Sequence, residues 1–360
     1  MIGRAVRWYG AKDLRLEPVS LPPPGAGEVL VRVAYCGVCG SDLHEIADGP
    51  HAIPVDRPHP LSGTVAPLTL GHEFSGEVAA TGPGVDGLPA GAPVAVEPNY
   101  RCGRCTACRE GRTEVCAGFG FAGLMGDGGM AEYALVPSYM VHRLPDGFDL
   151  AAAAVLEPAA VALHGIRRST FAAGQTAVVV GLGPVGLLVC ALLRDAGAAR
   201  VIGVDPAPVR RQLACRLGAD AVLGPDADVP SAVEQLTGGD RAHVAFEVVG
   251  SQDAVDIALS CLRTGGELLL LGLVEKLMLP AFDMVNAELR LTTSVGYRDC
   301  HPELVGLVTG GRLDLSALVS EVVPLADAPA VLLDMAAGTP TGIKTLIRCA
   351  GGVDGGDTTT

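Results

Sequence analysis

The chain has 360 residues, a formal net charge of −14, 49% hydrophobic residues and 11 cysteines. That length exceeds what a single core usually organises and implies two domains. An acidic balance excludes nucleic acid as a partner, whose phosphates demand a basic face, and an anionic membrane surface with it.

Taken in chain order, the first ten residues lack the apolar core of a secretory leader, so a cytoplasmic protein with reduced thiols is expected. Over the first hundred residues, short β-branched runs at 28–34, 74–79 and 93–96 are punctuated by Gly and Pro. They read as strands of a barrel-like β domain whose loops carry the functional groups. Between them lie Cys36-Gly-Val-Cys39-Gly-Ser41-Asp42-Leu-His44 and Gly71-His72-Glu73.

Cys102, Cys105, Cys108 and Cys116 follow, separated by two, two and seven residues. Such spacing lets one turn aim consecutive thiolates at a tetrahedral zinc, and the longer last gap closes the lobe. A pair of disulfides is the competing reading, and nothing upstream places the chain in an oxidising compartment. Four protein ligands leave no open position, so this zinc holds a loop together and does no chemistry. Phe119, Phe121 and Met125 come next, and they either narrow an apolar pocket or belong to the core.

Beyond residue 159 the texture changes to strands (177–180, 201–205, 221–223, 242–248, 267–273) alternating with helices (185–196, 208–217, 253–262). This is the pattern of a parallel sheet with helices on both faces. Residues 176–193 carry no charge, yet Gly181, Gly183, Pro184 and Gly186 interrupt them, so a buried strand, turn and helix is expected rather than a membrane span. Gly181-Leu182-Gly183-Pro184-Val185-Gly186 follows a strand and opens a helix, and Asp205 stands nineteen residues after Gly186. That is a complete βαβ dinucleotide fingerprint. Asp205 would accept the adenosine ribose hydroxyls and repel a 2′-phosphate, favouring NAD. Arg210 and Arg211 pull slightly toward NADP. A helix at 302–309 and a closing strand at 344–349 return the chain to the first domain, and a Gly/Thr-rich tail at 351–360 reads as disordered.

The motifs Gly-Val-Cys-Gly-Ser-Asp-Leu-His, Gly-His-Glu, the four-cysteine lobe, Glu157-Pro-Ala-Ala-Val-Ala-Leu-His164 and the Gly-rich turn together resemble one family. It is the zinc-dependent medium-chain alcohol and polyol dehydrogenases, and the match is nearest to their bacterial 2,3-butanediol dehydrogenase branch, beside sorbitol and threonine dehydrogenases. The resemblance implies an α/β protein with a GroES-like catalytic domain (1–158), a Rossmann doubly wound NAD domain (159–295) and a return to the catalytic domain (296–350). It implies a catalytic zinc on Cys39 and His72, completed by Glu73 or Glu157, with Asp42 orienting His72. Ser41 and His44 would relay a proton through the cofactor ribose toward solvent. It further implies a small-molecule alcohol or ketone substrate and a homodimer or homotetramer. The rival readings are a metal-free reductase of the same superfamily, a non-catalytic NAD- and zinc-binding protein, and the same chemistry on a sugar alcohol, amino alcohol or cyclitol.

Overall fold

The computed structural model describes residues 1–224, 226–339 and 342–349, and the tail read from the sequence as disordered lies outside them. Two compact units are present. One comprises Met1–Glu157, His301–Thr309 and the described residues from Asp314 onward, and the other Pro158–Cys300 with Gly310–Leu313.

The first unit is built around strand Glu28–Gly37. Val29, Val31 and Val33 recur every second residue and are fully buried, the period that a strand imposes on a core face. One edge of this strand pairs antiparallel with Glu73–Thr81. Its other edge is shared, residues 28–32 pairing with Tyr133–Pro137 and residues 35–37 with Lys344–Arg348. Pro93–Val96 and Val141–Arg143 extend the sheet to one side, Val319–Pro324 to the other. A smaller sheet joins Ile2–Gly10, Asp13–Ser20 and Leu68–Thr69. The buried Trp8 of that sheet donates from Nε1 to the Glu45 carbonyl at 2.9 Å and so anchors helix Gly40–Asp48.

The second unit holds a six-stranded sheet, every pairing parallel. Its order is Ala221–Leu223, Arg200–Val204, Thr176–Val180, Ala242–Glu247, Leu262–Leu270 and Arg290–Thr293. Numbered along the chain this is 3-2-1-4-5-6, the doubly wound arrangement whose switch point lies between the first and fourth strands. Val178, Val180, Ile202, Val204, Ala245 and Leu268 fill the core against the flanking helices. The fifth strand departs from the sequence reading: it starts earlier and ends at Leu270 rather than 273. The N–H groups of Leu271 and Gly272 both turn to the Glu247 carbonyl, and the ladder stops there. Among the described residues Arg290–Thr293 pairs with the fifth strand alone and so forms an edge of the sheet. Among the described residues no helix is long and apolar enough to cross a membrane.

Candidate active site and metal centres

Cys102, Cys105, Cys108 and Cys116 converge so that all four sulfurs lie within 4.8 Å of one another. Cys102 and Cys108 are 4.0 Å apart through their sulfurs, as are Cys105 and Cys116. That is about twice a disulfide length and suits any two corners of a tetrahedron of thiolates. All eleven cysteines of the chain are free, which removes the disulfide reading. Backbone N–H groups of Cys102, Cys105, Cys108 and Gly118 point at sulfurs of the lobe at 3.3–3.5 Å. Such donors favour thiolates. The N–H groups of Ala117 and Cys108 pull the Cys105 thiol down to about 6. Burial, followed by the neighbouring thiols, pushes Cys108 up to about 12.

A second cluster forms where the central strand ends. Register sets Gly37 opposite Glu73, and Cys39 caps the following helix, its N–H donating to Asp42 Oδ2 at 3.0 Å. Ligand atoms of Cys39, His72 and Glu73 lie within 4.8 Å of one another. Asp42 is completely buried, and its Oδ1 faces His72 Nδ1 at 3.6 Å. Among the described residues neither atom has a hydrogen-bond partner within bonding distance. A small approach turns this contact into an Nδ1–H···O bond and leaves Nε2 as a metal donor. Burial alone would lower the His72 pKa, but Asp42 and Cys39 outweigh it and hold the imidazole well above its usual value. A cavity that favours a proton on His72 is one that favours a cation. A thiolate, an imidazole and a carboxylate are also the donors that a catalytic zinc takes, so the residues fit that ion.

Lys344, which no sequence motif marked, opens the last strand of the first unit with its side chain buried. Its Nζ contacts Glu73 Oε2 as an ion pair and donates to the Val38 carbonyl at 2.9 Å. Burial works against the ammonium, but Glu73, then Cys39 and more distantly Glu157 raise its pKa. Gly37 makes room for the pair, because a Cβ there would collide with Glu73 Oε2 and crowd Lys344 Cε at 3.0 Å. Glu157 is buried in the first turn of helix Leu156–Arg168 and lies outside the three-residue cluster. Ser41 is half-buried and His44 exposed, one turn apart on the helix that Cys39 caps. Phe121 sets its ring 6.1 Å from that of His72, and Phe119 meets Phe121 edge-on at 4.9 Å. Both are half-buried, and Phe121 is the one whose ring faces the cluster through His72.

In the second unit, strand Thr176–Val180 leads through Gly181 and Leu182 to Gly183, which caps helix Pro184–Asp195. Gly181 has φ +97°, and a Cβ on Gly186 would strike the Gly181 carbonyl, so the turn admits glycine alone at both positions. Asp205 is buried and accepts from the N–H groups of Leu182 and Ala207, both at 2.8 Å. Arg210 stands 3.6 Å from the Asp205 carboxylate, while Arg211 turns to the carbonyls of Asp205 and Pro206. A cavity of about 460 Å³ opens beside the turn, lined by Gly181, Asp205, Asp228, Val249, Ser251 and Asp253 among others. Three carboxylates in that lining favour hydroxyls over a further phosphate.

Residues 25–146 match the family described as Alcohol dehydrogenase GroES-like domain, and residues 184–310 match Zinc-binding dehydrogenase. The (R,R)-butanediol dehydrogenase of Bacillus subtilis strain 168 is 39% identical over 90% of this chain and 93% of its own length. A crystal structure of 2R,3R-butanediol dehydrogenase from Bacillus subtilis superposes with a TM-score of 0.90 at 37% identity, covering 97% of this chain and 100% of that one. The 2-dehydro-3-deoxy-L-galactonate 5-dehydrogenase of Pseudoalteromonas atlantica is 34% identical over 96% of this chain and 98% of its own. A zinc-binding dehydrogenase from Sinorhizobium meliloti, crystallised with NADP, superposes with a TM-score of 0.88 at 32% identity, covering 97% and 99%.

Proposed function

Since the chain belongs to the zinc-dependent medium-chain alcohol and polyol dehydrogenases, oxidoreductases of the zinc- and nicotinamide-using kind, we propose that its substrates are a short vicinal diol and the matching hydroxyketone, of the 2,3-butanediol and acetoin type. The observation that carries this reading is the Cys39–His72–Glu73 cluster with the Phe121 ring against His72. Donors for one metal stand beside an apolar wall that suits a methyl-bearing substrate better than a chain of hydroxyls.

Zinc, when held by Cys39, His72 and a carboxylate, supplies Lewis acidity to a substrate oxygen, and NAD supplies the hydride acceptor. The protein's own groups do the rest. Asp42 fixes the His72 ring with Nε2 toward the cluster. Lys344 offsets the charge of Glu73 and orients it, and Glu157, whose charge also reaches Lys344, is the second carboxylate of the neighbourhood. Ser41 and His44 carry the hydroxyl proton from the half-buried to the exposed side of their helix. N–H groups at the start of helix Pro184–Asp195 bind pyrophosphate, and Asp205 takes the ribose hydroxyls, which makes NAD the cofactor and NADP the weaker ligand.

A second reading, the same chemistry on a sugar-derived polyol, is favoured by the likeness to the galactonate-series dehydrogenase. A panel of 2,3-butanediol stereoisomers, sorbitol, threonine and simple secondary alcohols, assayed for NADH before and after chelation, separates the two. Chelator-sensitive turnover strongest on one butanediol isomer is the expected result. Preference for sorbitol transfers the site to polyols.

The working unit is a homodimer or homotetramer in the cytoplasm. Free thiols throughout support a reducing compartment. Leu273, Met278, Phe282 and Val285 are each at least 75% exposed and precede the edge strand Arg290–Thr293, so a second copy is the natural cover for this apolar face. Light scattering of wild type and Phe282→Asp tests it, with loss of the oligomer expected in the variant.

A further inference from the structure

We propose that Glu97, His142 and His301 form a third metal site, distinct from both zinc centres, that takes a divalent transition cation through nitrogen and oxygen ligands alone. The three come from distant parts of the chain. Glu97 follows strand Pro93–Val96, His142 lies in Val141–Arg143, and His301 opens helix His301–Thr309. All belong to the first unit. Their ligand atoms lie within 4.8 Å of one another, a convergence shared among the described residues only by the two clusters already assigned to zinc.

The strands fix two of the three ligands. His142 pairs with Ala95 across the ladder, and the Glu97 N–H donates to the Met140 carbonyl at 2.7 Å. Glu97 Oε2 then faces both imidazoles, 3.1 Å from His142 Nε2 and 3.9 Å from His301 Nδ1. An ion with bonds near 2.1 Å needs donors roughly 3.3 Å apart, so these separations bracket what it requires. Arg101 holds the other oxygen, with NH1 3.6 Å from Glu97 Oε1, and is itself anchored on the Tyr139 ring and carbonyl. A carboxylate ligand oriented from behind in this way is how metal sites are built. Metal ligation also needs neutral imidazole, and burial, then the His142 charge, keeps His301 well below the usual histidine pKa.

One rearrangement is required. The two rings stack in parallel, 4.3 Å apart and 1° from coplanar, so their lone pairs run side by side. His142 must swing out of the stack and exchange its hydrogen bond with Glu97 Oε2, already 3.1 Å long, for a bond to the ion. Its side chain is 26% exposed on an edge strand, whereas that of His301 is 1% exposed and held, so His142 is the ligand with room to move. Arg101 and the positive end of the helix that His301 opens both oppose a cation, so this site fills after the thiolate centres and empties before them. Two imidazoles and a carboxylate suit Zn²⁺ or Co²⁺ and leave a coordination position open.

The test uses the protein carrying its two zinc equivalents. Incubation with Zn²⁺ and removal of the unbound ion should leave a third equivalent by elemental analysis and raise the melting temperature. His142→Asn and Glu97→Gln should retain two equivalents and show no rise. Co²⁺ added to the zinc-loaded protein should give visible ligand-field bands without the thiolate charge-transfer band that either cysteine-bearing site would produce. Should a variant fold poorly, imidazole NMR of the wild type reads the same event, the His142 and His301 resonances shifting with one equivalent of Zn²⁺. A stoichiometry fixed at two, a third ion that His142→Asn keeps with unchanged affinity, or a thiolate band in the cobalt spectrum overturns the proposal.

Discussion

The Lys344 ammonium rests against the Glu73 carboxylate with both side chains sealed from solvent, and the same ammonium donates to the carbonyl of Val38. A buried charge stripped of its partner costs about 3–5 kcal/mol, because the survivor keeps its desolvation penalty. Lys344→Met should therefore destabilise the metal-free protein by about that much in urea unfolding. Zinc in the Cys39–His72 site gives Glu73 another cation, so the penalty should shrink in the loaded protein. An equal loss in both forms would separate Lys344 from the metal centre.

The four-cysteine lobe makes a chemical prediction. With zinc removed, Cys105 titrates at about 6 and Cys108 at about 12. The thiolate is the nucleophile, so iodoacetamide near neutral pH should label Cys105 first and Cys108 late. Peptide mass spectrometry over a time course reads the order. Zinc-loaded protein should resist at both positions, and equal rates in the stripped protein would refute the assignment.

His301 links stability to pH. Burial, then the charge of His142, places its folded-state pKa well below the ordinary value, so the unfolded chain binds the proton more readily. Stability from this group is complete above the unfolded pKa of about 6.5 and declines as pH falls toward the folded one, by up to ~1.4 kcal/mol per pH unit. Denaturant midpoints from about pH 7.5 to 5 should fall more steeply for wild type than for His301→Phe. Matching slopes would show that His301 does not titrate on unfolding.

How much of this was legible in the sequence follows the range of each interaction. The cysteine lobe and the Gly181–Gly186 turn are each local, because spacing along a short stretch fixes their geometry, and within the second unit one βαβ step brings Asp205 to its turn. Asp228 before Pro230 was a readable start for helix Val229–Leu236, which the sequence reading passed over. Lys344 carried no such signal. Its strand was expected, but the partner of its first residue depends on register with Glu28–Gly37, which a single sequence does not encode locally. The stack of His142 on His301 was hidden for the same reason. Each histidine is unremarkable within its own segment, and only the sheet and the returning helix bring them to 4.3 Å.

The proposed preference for NAD rests on Asp205, which has two kinds of attachment. Its oxygens accept from Leu182 and Ala207, which shapes the turn, and its charge occupies Arg210 at 3.6 Å. Asp205→Ser keeps a short polar side chain but gives up the carboxylate, losing hydrogen bonds to the ribose each worth about 1.5–3 kcal/mol. kcat/KM for NAD should drop by roughly 10–100-fold, mainly through KM. Arg210, released from its carboxylate, becomes available to a 2′-phosphate, so activity with NADP should rise in the same variant. Steady-state kinetics with both cofactors, repeated in Asp205→Ser/Arg210→Gln, separates the contributions. The gain with NADP should vanish in the double variant while the loss with NAD remains. A gain that survives without Arg210 would mean that repulsion by Asp205, and not capture by Arg210, sets the preference.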